Sequence, residues 1–193
     1  MRNLRKPFFS PVLLVALTVC FAGTASAQEV VHALTGTVSS INSAAKTITV
    51  FQDNGNTGVF NQTSGQKAHV SFDKKLAQAT TDAGAFTQQG AYAIVFYFGM
   101  LDNPTAVAVK ALGKGPFASA EGTVTSFTSR DHSISISDQS GAVSTFKLSA
   151  DSVAEGGAGA VEASKLQIRK GDHVRIVSAT VDGALTALFI KDL

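Results

Sequence analysis

The sequence has little of what reactive or soft-metal chemistry requires. It holds one cysteine, Cys20, two methionines, four histidines and no tryptophan in 193 residues. A single cysteine excludes an intramolecular disulfide and leaves no thiol pair to complete a soft metal site. A long hydrophobic run is also missing. The longest apolar stretch, from Val12 to Ala22, is roughly half of the about 20 residues that a transmembrane helix needs. Nothing later in the chain is long and apolar enough to span.

What precedes and follows that stretch gives it a different meaning. Arg2, Arg5 and Lys6 come before it, and the small residues Ala25, Ser26 and Ala27 come after it. A basic start, a short apolar middle and an A-x-A site form the layout of a secretory signal peptide over residues 1–27, with the mature chain beginning at Gln28. Lipidation of Cys20 is the competing expectation, with Leu17 three residues before it. Val19 is too large for the position preceding a lipidated cysteine. Cleavage near Ala27 removes the only thiol and three of the 16 basic residues, so 13 face 14 acidic ones and the formal charge moves from +2 to −1. The mature chain then carries no net field toward nucleic acid or anionic lipid. The expected location is periplasmic or secreted, with no integral membrane segment after cleavage.

An internal repeat organises the remainder. Residues 36–61 match residues 122–147 without a gap: Gly36-Thr37-Val38 falls on Gly122-Thr123-Val124, Ile48 on Ile134, Gly55 on Gly141 and Phe60 on Phe146. A second block places Gly90, Ala93 and Val95 on Gly171, Val174 and Ile176. The run from Thr105 to Lys110 falls on Thr186 to Lys191. Two units follow, residues 28–115 and 116–193, hinged at Gly113-Lys114-Gly115-Pro116.

Each unit reads as β structure. Ser133-Ile134-Ser135-Ile136-Ser137 alternates strictly, which places Ile134 and Ile136 inward, and Thr47-Ile48-Thr49-Val50 does the same. Asp53-Asn54-Gly55-Asn56 and Asp138-Gln139-Ser140-Gly141 have hairpin-turn chemistry, and Asp102-Asn103 and Asp182-Gly183 mark a later hairpin in each unit. The connections at 73–78 and 158–166 each have room for a short helix, and the glycine-rich stretch from Glu155 to Gly159 reads as a flexible excursion. Five short strands with a connection after the third predict a mostly β chain of two tandem five-stranded OB-like small barrels.

The Gly-Thr-Val starts, the Ile/Val strands, the run from Gly171 to Ile176 and the Asp182-Gly183 turn resemble small exported bacterial OB-like domains. One such group is a widespread family of unknown function. Another is the periplasmic copper-efflux chaperone family of single five-stranded barrels. Those chaperones bind copper with a His, two Met and a Trp. This chain has no Trp and, after cleavage, one Met, Met100, so the resemblance implies the barrel without the copper site.

No catalytic, cofactor or metal residues are assigned. His32, His69, His132 and His173 lack the close spacing that supplies two ligands from one strand. Asp131-His132 and Asp172-His173 are sequence neighbours, which on a strand point to opposite faces. The turn at Asp53 lacks the further acids of a calcium loop. The least ordinary segment is Tyr92-Ala93-Ile94-Val95-Phe96-Tyr97-Phe98, apolar on both faces. Tyr92, Phe96, Tyr97 and Phe98 are therefore the candidate partner or interdomain surface. The expected function is a non-enzymatic binding or scaffold module for a protein, glycan or small ligand, free to oligomerise and without a nucleic-acid partner. The alternative is a periplasmic metal-handling protein with a non-standard site.

Overall fold

The computed structural model describes residues 29–193 apart from 65–67, 69, 101 and 129. The expected signal peptide over residues 1–27, with Cys20, and His69 lie outside the described residues. In chain order the strands are β1 (Glu29–Val30), β2 (His32–Asn42), β3 (Thr47–Gln52), β4 (Thr57–Gln62), β5 (Val70–Ser71), β6 (Thr81–Asp82), β7 (Tyr92–Phe98) and β8 (Thr105–Ala111). They continue as β9 (Ala118–Thr128), β10 (Ser133–Ser137), β11 (Val143–Gly156), β12 (Gly159–Glu162), β13 (His173–Val181) and β14 (Ala184–Asp192). One short helix, α1 (Lys74–Gln78), precedes β6. No helix among the described residues is long and apolar enough to cross a membrane.

In the C-terminal half, β9 pairs with β10, β10 with β11, β11 with β14, β14 with β13, and β13 returns to β9. That ring is a closed five-stranded barrel, with β12 added on β11. The N-terminal sheet follows the corresponding succession through β2, β3, β4, β8 and β7, with β6 added on β8. Its β4 and β8 meet through a short parallel ladder, Asn61 opposite Thr105 and Gln62 opposite Ala106. In the C-terminal barrel the same ladder sets Lys147 opposite Thr186 and Leu148 opposite Ala187.

The alternating patterns put their apolar members inside. Ile48, Val50, Phe60, Ala93 and Val95 are buried in the N-terminal core, and Ile134, Ile136, Phe146, Val174 and Ile176 in the C-terminal one. The first strand of each sheet carries an irregularity after its Gly-Thr-Val, between Val38 and Ser40 in β2 and opposite Ser135 and Ile136 in β9. The extra residue bends the strand, as a bulge does. At each bulge a hydroxyl closes the gap: Ser39 Oγ donates to Thr49 O at 3.2 Å and Thr125 Oγ1 to Ser135 O at 3.1 Å. The hairpins form as their turn residues dictate. Gly55 and Gly141 take φ of 84° and 85°, and Asp138 Oδ1 accepts from Ser140 N and Ala142 N at 2.8 and 3.0 Å.

The two connections after the third strand differ. In the N-terminal half Asp73 caps α1, its Oδ1 accepting from Lys75 N at 2.8 Å, which is the short helix expected over 73–78. In the C-terminal half no helix of that kind forms over 158–166. Residues 159–162 are strand β12, followed by a single 3-10 turn at Ala163–Lys165. The stretch Glu155–Gly159 is likewise not a loose excursion but the tip of the β11–β12 hairpin. The reason is tertiary: Ala160 N donates to Val31 O at 2.7 Å, so the hairpin tip is tied to the N-terminal half. Gly159, at φ 94°, leaves room for Val31, whose carbonyl oxygen would lie 2.6 Å from a Cβ there.

Candidate functional site

The outer face of β7 is a dry seam between the halves. Ile94 and Phe96 are fully buried in one cluster with Val31, Ala33, Leu76 and Val107 from the N-terminal half and Val153, Val177 and Phe189 from the C-terminal half. Tyr92 and Phe98 pack at its edge. Tyr92 stacks on Phe117, ring centres 4.9 Å apart, and its hydroxyl donates to Asp53 Oδ2 at 2.6 Å. Burial and that carboxylate push the Tyr92 phenol above its ordinary range. Tyr97 points the other way, into the N-terminal core, edge-on to Phe60 at 5.4 Å. The four candidate residues thus divide between an intramolecular seam and a core.

Charged groups border the seam. Glu155 Oε1 lies 2.7 Å from His32 Nδ1, and Oε2 accepts from Ala33 N at 2.9 Å. On another side, Lys165 Nζ reaches Asp73 Oδ2 at 2.9 Å and Glu162 Oε1 at 2.7 Å, the latter an ion contact outside hydrogen-bond alignment. Lys75 Nζ meets Glu162 Oε2 at 3.3 Å. The hydrogen bond from Lys165 holds the Asp73 carboxyl below the usual range.

Burial raises the Glu155 carboxyl, and the hydrogen bonds from His32 and Ala33 offset this only in part. Tyr97 and Lys191 are the other titratable groups whose charges couple to it. A raised carboxyl binds its proton more tightly in the folded chain, so its contribution to stability falls as pH rises from the unfolded pKa through the folded one. Glu155→Gln keeps an acceptor for Ala33 N and removes the ionisation. Urea titrations between about pH 4 and pH 7 should show the variant gaining stability relative to the parent as pH rises. A constant difference across that range would contradict the assignment.

The described histidines do not converge. His132 occupies the β9–β10 turn at φ 46°, His173 is exposed at the start of β13, and His32 is held by Glu155. Among the described residues no three of His, Cys, Asp and Glu come together as a metal site.

A hollow of about 560 Å³ opens at one end of the N-terminal sheet. The end of β2 and the turn to β3 supply Ile41, Ser43 and Lys46, the end of β4 and the residues after it supply Gln62, Thr63 and Ser64, and β6 and the residues after the 3-10 turn that follows it supply Asp82, Phe86 and Thr87. Backbone bonds hold the walls together: Gln62 N donates to Lys46 O at 2.8 Å and Thr63 N to Ala106 O at 3.0 Å. Gln62 Nε2 donates to Ala83 O at 2.8 Å, which fixes the amide and leaves Oε1 for the hollow. Ser64 Oγ donates to Asp82 Oδ2 at 3.2 Å. Among the described residues the side chains of Ser43, Lys46, Thr63 and Thr87 have no hydrogen-bond partner. Phe86 is buried beneath and Ile41 half-buried beside it.

None of these lining residues stood out in the sequence, although the matching positions of the two halves held a signal. Gln62 occupies the ladder position that Leu148 fills in the other half, where Leu148 is buried in the core. An apolar core residue in one unit and an amide in the other marks the end of the sheet at which the units differ.

In comparisons with known proteins, no family model matches the chain and no curated protein matches it.

Proposed function

We propose that the chain is an exported, non-enzymatic binding module built from two tandem OB-like barrels, with the hollow beside Gln62 as its ligand site. The observation that carries this is a concave site of about 560 Å³ lined by Ser43, Lys46, Thr63 and Thr87, whose side chains have no hydrogen-bond partner among the described residues, within the range of roughly 300 to 1,000 Å³ that small-molecule sites span. The corresponding strand pairings and matching parallel ladders of the two halves support the tandem reading. The pairing order, first strand to second, second to third, third to fifth, fifth to fourth and fourth to first, supports the OB-like reading. The basic, apolar and small-residue order of residues 1–27 supports export.

In this reading the seam is structural. It consumes the aromatic face of β7 and holds the two barrels as one body, so recognition falls to the hollow. Amide hydrogen exchange of the full exported chain tests this in the presence of low-molecular-mass material extracted from the host envelope. Exchange should slow at Lys46, Thr63 and residues 84–87. Protection confined to the outer strands, or none, would overturn the assignment of the site.

A further inference from the structure

We propose that the hollow takes a neutral, polyhydroxylated ligand, a short oligosaccharide. This rests on the binding-module reading above and adds the ligand class to it. The argument begins with what the walls offer. Ser43, Thr63 and Thr87 each present a hydroxyl that both donates and accepts, Gln62 Oε1 accepts, and Lys46 Nζ donates. A ligand that satisfies such a set must itself carry several groups that donate and accept, which is the chemistry of a sugar hydroxyl.

The other ligand classes fit less well. Among the described residues the lining carries one cation, Lys46, and one carboxylate, Asp82, so these two formal charges cancel and the described walls offer no cluster of cations for an anion. Among the described residues a divalent cation would find a single acidic side chain where oxygen-rich sites use several. A wholly apolar ligand would strip water from the three hydroxyls and the ammonium without replacing their hydrogen bonds, a cost of about 1–3 kcal/mol for each buried polar group. Among the described residues apolar surface comes from Ile41, Ala85 and Phe86, where the carbon face of a sugar ring can rest. The fixed amide of Gln62 adds orientation, because its Nε2 is already held by Ala83 O.

The test is a heteronuclear NMR titration of the full exported chain with three separate probes: maltotriose, trigalacturonate and trialanine. Maltotriose should shift the amides of Lys46, Thr63, Gly84 and Thr87 saturably, and the other two should not. Gln62→Leu, which installs the side chain that Leu148 supplies in the other half, should weaken maltotriose about tenfold, the equivalent of one lost hydrogen bond. Unchanged amide positions in the C-terminal barrel would establish that the variant is folded. Thr87→Ala, on the exposed rim, gives a second variant with an expected loss in the same direction. Trialanine or trigalacturonate shifting the same amides in place of maltotriose would overturn the saccharide inference and leave the binding-module reading standing. No probe shifting them, with maltotriose shifts elsewhere or nowhere, would overturn both.

Discussion

Phe96→Asp should cost the chain its seam. Phe96 is fully buried among residues from both halves, with Phe72 5.0 Å away ring to ring. Truncating such a ring to alanine removes about 3–5 kcal/mol through lost transfer energy and the cavity left behind. A carboxylate adds the cost of burying a charge among apolar side chains. Against a typical domain stability of about 5–15 kcal/mol, the aspartate variant should lose the cooperative urea transition of the parent or shift it to far lower denaturant. Phe96→Ala should fall between. The contrast with Phe51→Asp makes the test specific: Phe51 is 54% exposed on β3, so its change should stay within about 0.5 kcal/mol. Equal effects at the two positions would mean that β7 does not face a dry seam in solution.

The seam explains why β7 reads as apolar on both faces while β13, which it matches in sequence, does not. Ala93, Val95 and Tyr97 serve the N-terminal core, and Ile94 and Phe96 serve the seam. In β13 the corresponding outer positions are His173 and Arg175, and only Val177 reaches the shared cluster. The asymmetry was visible as composition. Its cause was not, because a strand covered by another part of its own chain and one covered by a partner have the same pattern.

Local chemistry made much of the fold legible. Strict alternation placed Ile134 and Ile136 inward, and glycines at the third or fourth turn position located the hairpins. The β11–β12 hairpin was hidden because its stability comes from Val31, more than a hundred residues earlier, and glycine-rich composition carries no record of such a contact. The hollow was hidden for a related reason. Ser43, Lys46, Gln62 and Thr87 are ordinary surface residues one at a time, and only the closing ladder between β4 and β8 brings their elements together.

The glycines that open the two matching blocks offer the second large effect. A Cβ on Gly36 would overlap Phe51 O and come within 2.8 Å of Val50 Cγ1 and 2.9 Å of Gln52 Cα. A Cβ on Gly122 would stand 2.5 Å from Ser137 O and 2.9 Å from its carbonyl carbon. Both are collisions with the backbone of the next strand, which cannot swing aside as a side-chain tip can. Each sits two residues before a buried valine, Val38 or Val124, next to the bulge that bends the first strand. The sequence match at Gly36 and Gly122 therefore has one steric origin in two places: the first strand crosses its neighbour too closely for a side chain. Gly36→Ala and Gly122→Ala should each destabilise the chain by at least about 3 kcal/mol, at the upper end for overpacking, as read from the midpoint of urea unfolding. Gly55→Ala is the control for backbone freedom alone. Its Cβ meets nothing within 4 Å, but φ of 84° disfavours a side chain, so its cost should be about 1–2 kcal/mol. If Gly36→Ala and Gly122→Ala cost no more than Gly55→Ala, the close crossing is relieved by strand movement, and the match at these positions would owe nothing to sterics.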